Sequence, residues 1–195
     1  MKAQKRESIL NTARQMFVHY GIRKTSLNEI ARMARVAKAT IYNYFGSKEQ
    51  VYLEVLNREA NELMDRMCEA VAQIKSPLEK LRFFYRTRLT KMKEISNVWA
   101  GQGDGEDQLR SLTDIVRERL FRKEVGLVQA ILEEGVREGV FRMDNVIQTA
   151  RVIGFALQGL ETDFPVPRSR EEREADFEQL FNVLCRGILA EKREA

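Results

Sequence analysis

Few side chains in this sequence are equipped for chemistry, and their spacing argues against catalysis. His19 is the single histidine, and the two cysteines, Cys68 and Cys185, stand far apart outside any CxxC pair. Zinc requires several converging nitrogen or sulfur ligands, so no metal site and no cofactor are expected. The cysteines read as reduced, partly buried thiols on helices; a redox pair would need a proximity that sequence does not reveal. Neighbouring carboxylates such as Glu133 and Glu134 diverge by about 100° on a helix, which suits a solvated face. There is no nucleophile motif and no dinucleotide fingerprint. The expectation is a protein that is not an enzyme.

What remains is cationic. Residues 1–48 hold ten Lys or Arg against Glu7 and Glu29, a net +8, whereas the whole chain is +4 and residues 49–195 therefore −4. A positive potential confined to one end suits a polyanion-binding head on a neutral-to-acidic body. Lys38 and Lys48 within it stand at expected helix starts, where backbone amides also attract anions.

These residues must be positioned by helices. Ile9, Ala13, Met16, Phe17 and Tyr20 recur at helical spacing, and Gly21 is placed to end that helix. Ser26 with Glu29 forms a capping box opening a short second helix. After a turn near Ala34-Arg35-Val36, a third helix runs from about Lys38 to Phe45, and Gly46 stops it. Ser47 with Gln50 starts a long fourth helix, and Ser76-Pro77-Leu78-Glu79 starts a fifth. Ser96 to Asp107 is rich in glycine and reads as a loop or broken helix. Periodicity resumes through Leu120, Leu127 and Ile131 to about Gly139, again from a cap at Asp144, and finally after the extended Phe164-Pro165-Val166-Pro167. No strand alternation is present. The expected fold is all-α with about nine helices: a helix-turn-helix DNA-binding domain over 1–48 and a helical ligand-binding and dimerisation domain over 49–195. The chain has 44% apolar residues, enough for a packed core, and no membrane-length apolar stretch. Met1 to Ser8 are basic without a following apolar segment, so a cytoplasmic location is expected.

Residues 26–45 fit a helix-turn-helix. Ala31 supplies the small residue where the second helix crosses the first, and Ile41 and Phe45 supply apolar anchors at i, i+4. Such a pair braces one helix across the phosphate backbone while the other enters the major groove.

The run from Ile9 to about Leu56 resembles the TetR family of transcriptional regulators, most specifically at Thr40-Ile41-Tyr42-Asn43-Tyr44-Phe45-Gly46-Ser47-Lys48-Glu49. A weaker echo runs from Leu132 to Phe141. Two departures stand out: Arg35 occupies a turn position that is usually Gly, and Ala37 a capping position that is often Ser. The resemblance, with the chemistry of the side chains, implies phosphate contacts from Thr25, Ser26, Lys38, Tyr42, Tyr44 and Lys48. Arg35 can also reach a phosphate. Ala39, Thr40 and Asn43 are the candidates for reading base edges, Asn being able to bond adenine bidentately. Ser26 and Ser47 can equally serve only as caps, and one of the two tyrosines can be core.

By the same resemblance the partners are double-stranded operator DNA and a second copy of the chain, paired through about 144–160 and 170–191, with Gly154, Gly159 and Gly187 permitting close approach. A small apolar or amphipathic effector is implied within the body, near Met67, Tyr85, Arg88, Met92, Trp99, Phe121 and Phe155, although any such stripe is more often plain core. Arg88 lies on the Leu81, Tyr85, Met92 line of its helix and is expected to face inward. A buried cation needs a partner, either an acidic group of the ligand or an internal carboxylate. The family implies repression relieved by effector. The alternative is a helical small-molecule carrier whose basic head binds nucleic acid non-specifically.

Overall fold

The computed structural model describes the backbone of residues 2–99, 107–161 and 169–188, and the side chains of 2–88, 109–158 and 169–187 apart from Arg170 and Arg173. Every regular element among the described residues is a helix: α1 (Lys2–Tyr20), α2 (Leu27–Met33), α3 (Lys38–Phe45), α4 (Lys48–Ala72), α5 (Pro77–Trp99), α6 (Asp107–Arg137), α7 (Val146–Glu161) and α8 (Arg170–Ile188). That makes eight described helices against the nine or so expected. The fold is all-α as anticipated. No described helix is long and apolar enough to cross a membrane.

The chain forms two compact units, one of residues 1–64 with 90–120, the other of 65–89 with 121–195. In the first, α1 turns Ile9, Leu10, Ala13 and Phe17 inward, at the helical spacing legible in the sequence. They meet an apolar stripe of α4, where Val51, Tyr52, Val55 and Leu56 are almost wholly buried. Phe17 and Tyr52 pack edge to face at 5.7 Å. Along the rim, Arg6–Glu54 (2.7 Å), Arg14–Glu59 (2.6 Å) and Arg58–Glu7 (3.0 Å) cross from α1 to α4. As partly exposed pairs they contribute a few tenths of a kcal/mol each and mainly set register.

In the second unit, Lys80 of α5 bonds Glu134 of α6 at 2.6 Å. The Leu132–Phe141 echo has a local cause. Past the end of α6 the amides of Val140 and Phe141 return to the Gly135 carbonyl, with Gly139 at φ +71°. This hairpin-like closure lays the Phe141 ring where a side chain on Gly135 would sit. One helix start differs from the expected one. The cap of α7 is Asn145, whose Oδ1 accepts from the Gln148 amide at 2.9 Å, rather than Asp144 one position earlier. α8 begins at Arg170, where it was expected, and opens with a capping box of Ser169 and Glu172 that follows the proline-containing linker. Gly154 makes room within its own chain: a Cβ there would lie 2.8 Å from the Phe121 ring, so Phe121 of α6 uses the space expected for a partner helix. Gly187 faces open space, and Gly159 lies outside the described side chains.

Candidate nucleic-acid interface

Local chemistry builds the α2–turn–α3 unit. The Ser26 hydroxyl accepts from the Glu29 amide while the Glu29 carboxylate accepts from the Ser26 amide, closing both halves of the box. Those bonds hold the Glu29 carboxyl below the usual range, the Ser26 backbone amide contributing most. Ile30, Ala31, Ile41 and Phe45 are buried, so the two helices cross over the small Ala31 as expected.

The turn carries a cost. Arg35 has φ +54°, the one non-glycine residue with positive φ among the described residues. Its conformation lets the Val36 amide reach the Ala31 carbonyl at 3.0 Å, which sends the chain into α3 at the required angle. Ala37 occupies the N-cap of α3 with no side-chain cap bond. Both departures from the family pattern therefore keep the backbone geometry and forgo the residue that favours it.

α3 presents Lys38, Ala39, Tyr42 and Asn43 outward, with Thr40 half-buried. Lys38 lies with its ammonium 5.6 Å from the Tyr42 ring, one turn along the same face. Beside them is an open cleft of about 430 Å³ that brings together Thr25, Ser26, Lys38, Tyr42 and Lys48 from the sequence-derived set. Arg23, Lys24 and Asn28 line it as well. The motif singles out none of the three; the charge count, which includes Arg23 and Lys24, is the signal for those two, and the neutral Asn28 carries none. Arg35, Ala39, Thr40, Asn43 and Tyr44 do not line this cleft.

Several of the hydroxyls and ammonium groups have internal partners. Thr25 is buried, and its hydroxyl donates to the Gly21 carbonyl at 2.9 Å. The Lys48 ammonium donates to the Ile22 carbonyl at 3.1 Å, tying the start of α4 to the α1–α2 loop. The Tyr44 hydroxyl donates to the Lys2 carbonyl at 3.3 Å, so of the two tyrosines this one leans back on α1 while Tyr42 stands 47% exposed. The cleft thus combines Arg23, Lys24, Lys38 and Lys48 with one outward-facing phenol, a set suited to the oxygens of a phosphodiester.

The body residues fall into three groups. Met67, Tyr85 and Arg88 are buried. Phe121 and Phe155 stack at 5.1 Å, but Phe155 is 55% exposed and sits on the outside of its unit. The side chains of Met92 and Trp99 lie outside the described residues. Arg88 finds the internal carboxylate: its Nε is 2.9 Å from Oε1 of Glu124, and both side chains are almost completely buried. Glu124, absent from the sequence-derived set, is unreadable as a partner because it belongs to a different helix. Both cysteines are free, Cys68 exposed and Cys185 buried, with burial pushing the Cys185 thiol up. No group of three metal-capable side chains occurs among the described residues.

An all-helical chain with a cationic helix-turn-helix at its start is a DNA-binding protein of the regulator class. The family model for bacterial regulatory proteins of the tetR family matches residues 9–55. The HTH-type transcriptional repressor KstR2 of Mycolicibacterium smegmatis is 30% identical over 146 residues, covering 73% of this chain and 70% of that protein. The HTH-type transcriptional regulator QacR of Staphylococcus aureus is 22% identical over 159 residues, 80% of this chain and 84% of that protein. Among solved structures, a transcriptional regulator from Cytophaga hutchinsonii superposes with a TM-score of 0.80 at 23% identity, over 94% of this chain and 98% of that one. The chain belongs to the TetR family and is a DNA-binding transcriptional regulator. Members of the family bind operator DNA, dimerise and bind small-molecule effectors.

Proposed function

We propose that the chain is a repressor that binds a palindromic operator as a homodimer and leaves it when a small, mainly apolar molecule enters the body. The DNA-binding head is residues 1–48 and the effector and dimerisation body residues 49–195. The observation that carries the reading is the convergence of Lys38, Tyr42 and Lys48 on one cationic cleft beside the exposed face of α3. In this reading Lys38, Tyr42 and the cleft cations Arg23 and Lys24 hold phosphates. Ala39, Thr40 and Asn43 read base edges in the major groove. Lys48 and Ser26 serve both as structural ties and at the phosphate, Arg35 reaches a flanking phosphate, and Thr25 and Tyr44 position the backbone through their internal bonds.

Pairing of two copies through α7 and α8 is supported by their exposed apolar side chains: Ile147, Val152 and Phe155 on α7 and Val183 on α8 are each more than half exposed. Burying such a patch is the usual reason for it to exist. Phe155 is assigned to this surface, leaving Met67, Tyr85, Arg88 and Phe121 to the effector region. Two half-sites are then expected about 34–36 Å apart, or a multiple of that.

Selection from randomised duplex DNA at near-physiological salt tests the reading. A palindrome should be recovered, and Tyr42→Ala or Lys38→Ala should abolish retention. Recovery of no motif by folded protein would favour a ligand carrier with merely non-specific affinity for nucleic acid. A monomer in sedimentation at micromolar concentration would sink the dimer.

A further inference from the structure

Besides the Nε of Arg82, whose guanidinium lies over the Phe181 ring at 5.0 Å, the second unit contains two buried polar atoms with no hydrogen-bond partner among the described residues: the Tyr85 hydroxyl and Oε1 of Glu124. Leaving such an atom unpaired forfeits its hydration with nothing in return, so folded chains seldom leave any. Here both belong to one neighbourhood. Tyr85 and Arg88 are three residues apart on the buried face of α5, and Arg88 is ion-paired to Glu124. The Arg88 Nε lies 2.9 Å from that oxygen as an ion pair, and no hydrogen bond of good geometry saturates the oxygen.

The walls around Tyr85 are aromatic. Its ring meets Phe84 at 5.9 Å, Phe177 at 5.9 Å and Phe181 at 5.7 Å. An unused donor and an unused acceptor in an aromatic surround are complementary to an apolar molecule that carries a polar group. The charge balance sets its class. Arg88 is already neutralised by Glu124, and Arg82 beside Phe181 is ion-paired with Glu79 at 3.6 Å, so an acidic ligand would face engaged cations and a buried carboxylate. A cationic ligand would compete with Arg88 for the same carboxylate. A neutral group that can both give and accept a hydrogen bond meets neither obstacle. Burial already pushes the Glu124 carboxyl up against the opposing effect of Arg88, so a further negative charge beside it would be costly.

We propose that Tyr85 and Glu124 form the polar recognition point of the effector site, selecting neutral, hydroxyl-bearing, aromatic or otherwise apolar molecules and rejecting carboxylates. The assignment rests on the effector-binding reading above and sharpens it; Arg88 acts by positioning Glu124 rather than by pairing with an acidic ligand.

The test uses the full chain and three matched probes, 2-naphthol, naphthalene and 2-naphthoate, with affinities from calorimetry and melting curves of the ligand-free protein. The wild type should bind 2-naphthol at least tenfold tighter than either of the other two. Tyr85→Phe should lower 2-naphthol affinity about fivefold or more without lowering the ligand-free Tm, because no internal bond is lost. Glu124→Gln, by releasing Arg88, should raise affinity for 2-naphthoate at least tenfold. Equal or tighter binding of 2-naphthoate by the wild type overturns the proposal. So does binding of none of the three, and so does a Tyr85→Phe variant that melts lower while keeping the same probe preference. Release of the operator complex by some other compound from a chemically broad library would leave the effector reading standing while the proposal fell.

Discussion

Arg35 offers a substitution that should move stability and DNA binding in opposite directions. Its φ of +54° places an L-residue in the left-handed region, which costs roughly 1–2 kcal/mol. Arg35→Gly removes that strain but gives the unfolded chain more freedom, returning about 0.5–1 kcal/mol. The balance is a gain of about 0.5–1 kcal/mol. For a chain of this size that corresponds to a rise in Tm of roughly 1–4 °C. Arg35→Ala keeps the strain and removes the charge, so it should melt at or slightly below the wild type. Both variants lose an exposed cation. With one phosphate contact per protomer, a dimer would lose two, and the slope of log affinity against log salt should fall by about 1.8 in magnitude. Calorimetric melting and operator titration over a salt series read the two effects separately. If Arg35→Gly melts no higher than Arg35→Ala, the strain argument is refuted. An unchanged salt slope in both variants removes Arg35 from the phosphate contacts.

Four other substitutions follow from the same geometry. Ala37→Ser supplies the missing cap of α3 and should raise stability by about 1 kcal/mol in denaturant unfolding; no gain would mean that the α3 amides are already satisfied. Ser26→Ala should destabilise by about 1 kcal/mol at neutral pH through loss of the capping box. Because Glu29 is held below its ordinary pKa by Ser26, that contribution is present above the unfolded-chain value and lost as pH falls through the folded one. The gap between wild type and Ser26→Ala should therefore narrow below about pH 4, and a gap independent of pH would contradict it. In α6, Gly135→Ala should cost about 1–3 kcal/mol because its methyl group meets the Phe141 ring, whereas Gly126→Ala, with open space around it, should stabilise by about 0.5–1 kcal/mol; equal effects in urea melts would refute the packing account.

The head was legible because its determinants are local. The Ser26–Glu29 box, the small Ala31 under Ile41 and Phe45, and the stop at Gly46 are short-range relations that sequence spacing states directly. The run of cations at the start of the chain announced a polyanion partner for the same reason: a net charge does not depend on the fold. Arg35 was legible as a departure, but that its backbone keeps the left-handed turn was settled only by the packing of α2 against α3. The identity of the α7 cap slipped by one residue because Asp144 and Asn145 are both good caps and side by side; only the hydrogen bond to Gln148 chooses between them.

Side-chain partners across helices were a different matter. Which of Tyr42 and Tyr44 faces outward depends on where α1 lies, since the Lys2 carbonyl takes the Tyr44 hydroxyl. That Arg88 would be buried and need a counter-charge followed from its place on the apolar line of α5. Glu124 as the counter-charge did not, because it lies on another helix and its spacing from Arg88 in the chain carries no information about distance. Likewise Phe155 reads as core from its residue type, yet stands exposed on α7, and Gly154 reads as room for a partner, yet is filled by Phe121. Periodicity within one helix determined which residues turn together; only the packing of one helix on another decided what each of them meets.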